Sequence, residues 1–181
     1  MLFLHTAMRL KSKLANRILQ SKLNAVSRNK KVVNLDSAKT AGILWEIEQE
    51  ASFRYLENEL KNSGIQVTAL GYLPSKKAVL PEGFRGFARR QTSWWLEIPK
   101  GQMTEDFVQQ KFDILIDLSG QKSFPIVFIT ALSGAAFKIG WAGNSTNYFD
   151  LNIDFQEQPD AGRLASQIVY YLKRINKTTI E

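Results

Sequence analysis

Residues 111–120 read KFDILIDLSG: an apolar triplet, Ile114-Leu115-Ile116, held between Asp113 and Asp117, with Ser119 and Gly120 just beyond. Uninterrupted apolar runs of this kind belong to the middle of a parallel sheet, where helices cover both faces of a strand. The two carboxylates then fall at opposite edges of the sheet. Asp113 marks the entry edge and reads as a boundary residue. Asp117 marks the exit edge, the side on which open α/β sheets take their ligands. An aspartate there caps the following turn or pairs with a basic neighbour, and it is also the candidate catalytic acid/base group.

Working outward from that strand, AGILWEI (41–47) and IQVTALGYL (65–73) are two further strands. Between them EASFRYLENELKNSG places Phe53, Leu56 and Leu60 at helical spacing, with Gly64 positioned to stop the helix. A strand, a helix and a strand in this order impose parallel pairing. Downstream, the segment 74–93 has two prolines and two glycines and reads as loop. WWLEIP (94–99) is expected to be a short strand, and MTEDFVQQ a short helix with Thr104 as N-cap. FPIVFITALSG (124–134) is a crossover helix with Pro125 in its first turn. FKIGWA (137–142) and YFDLNIDF (148–155) are strands, and DAGRLASQIVYYLKRIN (160–176) closes the chain as a helix capped by Asp160. The expected architecture is a three-layer, Rossmann-like α/β fold with five or six mostly parallel strands. It forms one domain over residues 40–181, preceded by a basic helix and linker over residues 1–39.

Composition narrows the chemistry. The 181 residues contain no cysteine and a single histidine, His5, so thiolate chemistry, disulfides and a Ser-His-Asp triad have almost no material. No acid cluster has metal-ligand spacing and no metal site is expected. No phosphate-binding P-loop or G-x-G-x-x-G follows a strand, and no cofactor is expected. No apolar run approaches the ~20 residues that span a bilayer, and no export signal is visible, so a cytoplasmic protein is expected.

The net charge of +7 is unevenly placed. Residues 1–39 hold nine Lys/Arg against one acid, and the other 142 residues hold 15 against 16. Within the basic segment, Leu10, Leu14 and Ile18 lie four apart, and Arg9, Lys13 and Arg17 make a parallel cationic stripe. Two readings stand. Leu10, Leu14, Ile18 and Leu23 dock on the body while the cations stay solvated, or Arg9, Lys13 and Arg17 contact nucleic acid or an anionic membrane surface.

At the exit edge the expected neighbours of Asp117 are Gly71, Tyr72, Ser119, Gly140 and Asn144, with the cationic, aromatic-flanked loop 74–93 beside them. Such a rim suits an anionic small molecule. The function expected is a non-catalytic binding or scaffold domain with an anionic ligand or polyanion partner. The alternative is an enzyme for a phosphorylated or nucleotide-linked substrate, using Asp117.

The motifs KSKLANRIL, TAGILWEI, VTALGYL, WLEIPKG, FDILIDLS, ALSGAAFKIGWAG, YFDLNID and YYLKRIN together resemble an uncharacterised bacterial family of small α/β proteins, a domain of unknown function. That resemblance implies the fold and brings no activity. Asp113 to Leu118 followed by Lys138-Ile139-Gly140 is also similar to one lobe of the lipopolysaccharide heptosyltransferases, which implies a likeness of fold over some 30 residues.

Overall fold

A computed structural model describes residues 2–75, 79–141, 143, 146–155 and 160–175, with residues 2–9 described by their backbone alone. Six strands form one all-parallel sheet: β1 (Thr40–Glu46), β2 (Gln66–Leu73), β3 (Gly86–Ala88), β4 (Ile114–Asp117), β5 (Phe137–Gly140) and β6 (Leu151–Asn152). Their spatial order is β3-β2-β1-β4-β5-β6. This is the order of doubly wound dinucleotide-binding domains, with the reversal point between β1 and β4.

The helices are α1 (Leu2–Leu23), α2 (Glu50–Asn62), α3 (Gln102–Gln109), α4 (Phe124–Leu132) and α5 (Ala161–Arg174). Alternation along the strands assigns the faces. Ile43 and Trp45 of β1 and Ile114 and Ile116 of β4 pack with Phe53, Leu56 and Leu60 of α2 and Leu164 and Ile168 of α5. Leu44 and Leu115 point the other way, against Phe107 of α3 and Ile126 and Ile129 of α4. Every residue of β4 is buried, as the apolar triplet demands. Gly42 is required because a Cβ there would lie 2.8 Å from the Phe112 ring. Gly64 ends α2 with φ of 78°.

The outer helix α1 lies on α4. Among its described residues Ala15 and Leu19 are buried, Leu19 against Phe128 and Ala131. The expected docking face of Leu10, Leu14, Ile18 and Leu23 is therefore rotated. Ile18 and Leu23 are half-buried, while Leu10 and Leu14 face outward, 58% and 38% exposed.

Three local expectations need correction. Residues 94–99 are not a strand: Ser93 N donates to Ile98 O, Glu97 N donates to Ser93 O, and Glu97 takes φ of 57°, which closes a tight turn. The third strand, β3, lies instead inside the expected loop, where Gly86 lets the backbone approach Gly71. Gly101, not Thr104, is the N-cap of the short helix, and Thr104 sits in its first turn, donating from Oγ1 to Gly101 O. The strand expected over 148–155 shortens to Leu151–Asn152, because Asp150 turns back to accept from Lys138 N and Arg28.

Candidate functional site

The crevice between the ends of β1 and β4 is where a doubly wound sheet binds its ligand. Here the chain's own side chains occupy it. Gln49, in the first turn after β1, donates from Nε2 to Leu118 O at 3.0 Å and accepts from Glu46 N at 2.9 Å. The Glu46 carboxylate, buried at the end of β1, accepts a hydrogen bond from Ser123 Oγ. Glu46, Glu48 and Glu50 put three carboxylates into five residues at the turn that cradles phosphates in nucleotide-binding domains of this topology. That turn repels a phosphate.

Asp117 is 1% exposed. Its Oδ1 accepts from Ser119 N (2.8 Å) and Ser119 Oγ (2.6 Å), and its Oδ2 accepts from Thr130 Oγ1 (3.0 Å). Burial raises its pKa, against the lowering effect of these donors. The carboxyl thus ties the end of β4 to the last turn of α4. Ser119 is fully buried in the same turn and also accepts from Gln121 N. The turn continues through Gly120 and Gln121, both at positive φ, and the Gln121 amide atoms are buried without a partner among the described residues.

The other rim candidates are spread apart. Tyr72 packs on Phe87 with centroids 5.0 Å apart, and burial with Glu97 nearby pushes its hydroxyl up to about 12. Register places Tyr72 beside Glu46 and Asp117 beside Leu44, so β1 separates the two. A Cβ on Gly71 would meet Ile47 at 2.6 Å, and one on Gly140 would meet the Phe149 ring at 2.5 Å, so both glycines serve packing. Asn144 lies outside the described residues. Asp113 stays at the entry edge, where Oδ2 accepts from Lys39 N, Thr40 N and Thr40 Oγ1. Burial alone would raise its pKa, and the backbone donors hold it below the usual carboxylate range.

Two surface features remain open. On α1, Lys13 and Arg17 are exposed beside Leu10 and Leu14, and the Arg9 side chain lies outside the described residues. Lys11 Nζ meets Glu97 Oε1 at 2.9 Å, which holds the 93–98 turn against the helix. That turn carries Trp94, 86% exposed. On the opposite side of the sheet a cleft of about 250 Å³ is lined by Trp45, Phe53, Arg54, Val67, Phe84 and Arg85. The cationic stripe of α1 is legible in the sequence, whereas the turn at Trp94 and the cleft are not. The Trp94-Trp95 pair reads as strand, and an open sheet edge leaves no signal in composition.

Strand order and helix placement define a three-layer α/β protein of doubly wound topology. Over residues 11–175 the chain matches the model of a family of unknown function, DUF6913, and it belongs to that family. Comparison with curated proteins finds no significant match.

Proposed function

We propose that this protein is a non-catalytic α/β binding module that docks on anionic membrane surfaces through α1 and the Trp94 turn. One observation carries this reading: Leu10 and Leu14 are exposed beside Lys13 and Arg17 on a helix without a single acid, and Trp94 is exposed on the turn that Lys11 anchors. At about 100° per residue, Leu14 lies about 60° and Leu10 about 100° round from Lys11, turned away from the buried Ala15 and Leu19. Lys11 also anchors the Trp94 turn through Glu97. Exposed leucines and an interfacial tryptophan favour a bilayer over nucleic acid, whose phosphates reward cations alone. No helix among the described residues is long and apolar enough to cross a membrane, so attachment is by lying on the surface. Cations near an anionic leaflet contribute about 1 kcal/mol each.

The internally closed crevice and the saturated Asp117 carboxyl weigh against the enzyme alternative. The test is cosedimentation with phosphatidylcholine vesicles with and without about a third phosphatidylserine. Binding is expected to the anionic vesicles alone, to weaken with salt, and to fall about tenfold or more in Lys13→Glu/Arg17→Glu. The accompanying blue shift in emission should vanish in Trp94→Phe. Equal binding to neutral vesicles, or binding to DNA or RNA instead, overturns the proposal.

A further inference from the structure

The first half of β2 has an open edge. In a parallel ladder, the N–H and C=O of one residue point to the same side, and the next residue's point to the other. Gln66 N donates toward β1, to Lys39 O, and Gly71 N donates toward β3, to Arg85 O. Val67 and Ala69 share the parity of Gly71, so their polar groups point to the β3 side. β3 pairs only with Gly71–Leu73. Val67 and Ala69 therefore present two donors and two acceptors with no strand beside them among the described residues, the standing template that edge strands offer to another chain.

The cleft of about 250 Å³ lies along this same edge, between α2 and the residues leading into β3. Its floor is aromatic. Trp45 stacks on Phe53 at 4.2 Å with the planes 8° apart, and Phe84 packs against Trp45 at 5.1 Å. Trp45 is almost fully buried, yet its indole N–H has no partner among the described residues. Arg54 is held over Phe84, 4.7 Å from the ring centre, with Glu50 and Glu57 offsetting its charge. Arg85 is exposed at the mouth. Among the residues that line the cleft, two arginines, Arg54 and Arg85, stand against one acid, Glu57.

We infer that this cleft is a docking groove for an extended acidic segment of another polypeptide, which adds a strand to β2 in line with β3. Backbone pairing with Val67 and Ala69 supplies affinity, and alternate side chains supply selectivity. One set reaches the Trp45–Phe53–Phe84 floor, and the carboxylates face Arg85.

The probe is a fluorescein-labelled peptide of alternating glutamate and valine, six residues long, followed by anisotropy and by backbone amide NMR of the full chain. Saturable binding is expected, with the Val67 and Ala69 amide resonances shifting. The analogue with lysine in place of glutamate should bind about tenfold more weakly or worse. Ala69→Pro removes an outward N–H and should abolish binding; proline is tolerated at edge positions whose N–H faces away from the sheet. Arg85→Glu is an exposed change that keeps the test valid if the proline variant fails to fold, and it should invert the preference between the two peptides. Lys13→Glu/Arg17→Glu should leave peptide binding unchanged, which separates this groove from the membrane-facing helix. Absence of saturable binding, equal binding of both peptides, or unaltered binding by Arg85→Glu overturns the inference. So does a concentration-dependent dimer lost in Ala69→Pro, which would assign the edge to a second copy of this chain.

Discussion

Lys138 sits in the middle of β5, almost fully buried beneath α4, and donates to Thr130 O at 2.7 Å and Ala131 O at 3.0 Å. It thereby caps the last carbonyls of α4, where a cation is favoured by the helix dipole. Burial works against the charge, and Arg28 and Lys30 add repulsion that Asp150 only partly offsets, so its pKa falls to about 7. An unfolded chain keeps the ordinary value of 10.5. Between those limits the unfolded chain holds a proton that the folded one has released, so stability rises with pH across this window and is lost as pH falls back toward 7. Urea denaturation should show wild type gaining on the order of 3 kcal/mol from this group between about pH 7 and pH 9.5. Lys138→Met should flatten that slope. Asp117 stands on the other side of Thr130, and together the three residues tie β4 and β5 to α4 through one hydrogen-bonded chain.

Among the elements, β3 is the most exacting. A Cβ on Gly86 would lie 2.4 Å from the carbonyl oxygen of Gly71, a backbone atom that cannot step aside. Gly86→Ala should detach β3 and cost about 1–3 kcal/mol, read as a lowered urea midpoint. It should also expose more of the β2 edge to hydrogen exchange. The larger elements were legible because their periodicity is unambiguous: Phe53, Leu56 and Leu60 in α2, the apolar triplet of β4, and the capped start of α5 at Asp160, whose side chain accepts from Arg163 N. Strand β3 was not, since three residues, Gly-Phe-Ala, carry no period. Trp94 and Trp95 mimic a strand because aromatic residues favour sheets, while the turn is set by Ser93 and the left-handed Glu97. At the exit edge, Gly71, Tyr72 and Gly140 pack against neighbouring side chains, and Asp117 and Ser119 bond within their own turn. Glycine and buried aspartate look the same in a sequence whether they admit a ligand or a neighbouring ring.

At the scale of the whole molecule, the basic N-terminal segment is wound into the body. Leu19 is fully buried on α4, Arg28 donates to Ala135 O and Ala136 O and pairs with Asp150, and Val33, Leu35 and Ala38 enter the core beside α2 and α5. The chain thus passes from one helical layer to the other across the entry edge of the sheet, where Lys31 N donates to Ala136 O. Leu19→Ala should cost about 2–5 kcal/mol in urea denaturation. A loss below about 1 kcal/mol would mark α1 as loosely attached. With Ala15 and Leu19 spent on α4, the helix has Lys13 and Arg17 left for an outside partner.

The central strand has a neighbour made late in synthesis. Thr40 and Asp113, hydrogen-bonded across the β1–β4 seam, are 73 residues apart. On the ribosome, β1, α2 and β2 emerge as a half-built sheet, with Ile43 and Leu44 wet on one flank until the KFDILIDLSG stretch clears the exit tunnel. Long-range closure of this kind is slow compared with local helix formation. A nascent chain stalled short of that stretch carries an unguarded hydrophobic seam, the kind of surface that favours aggregation.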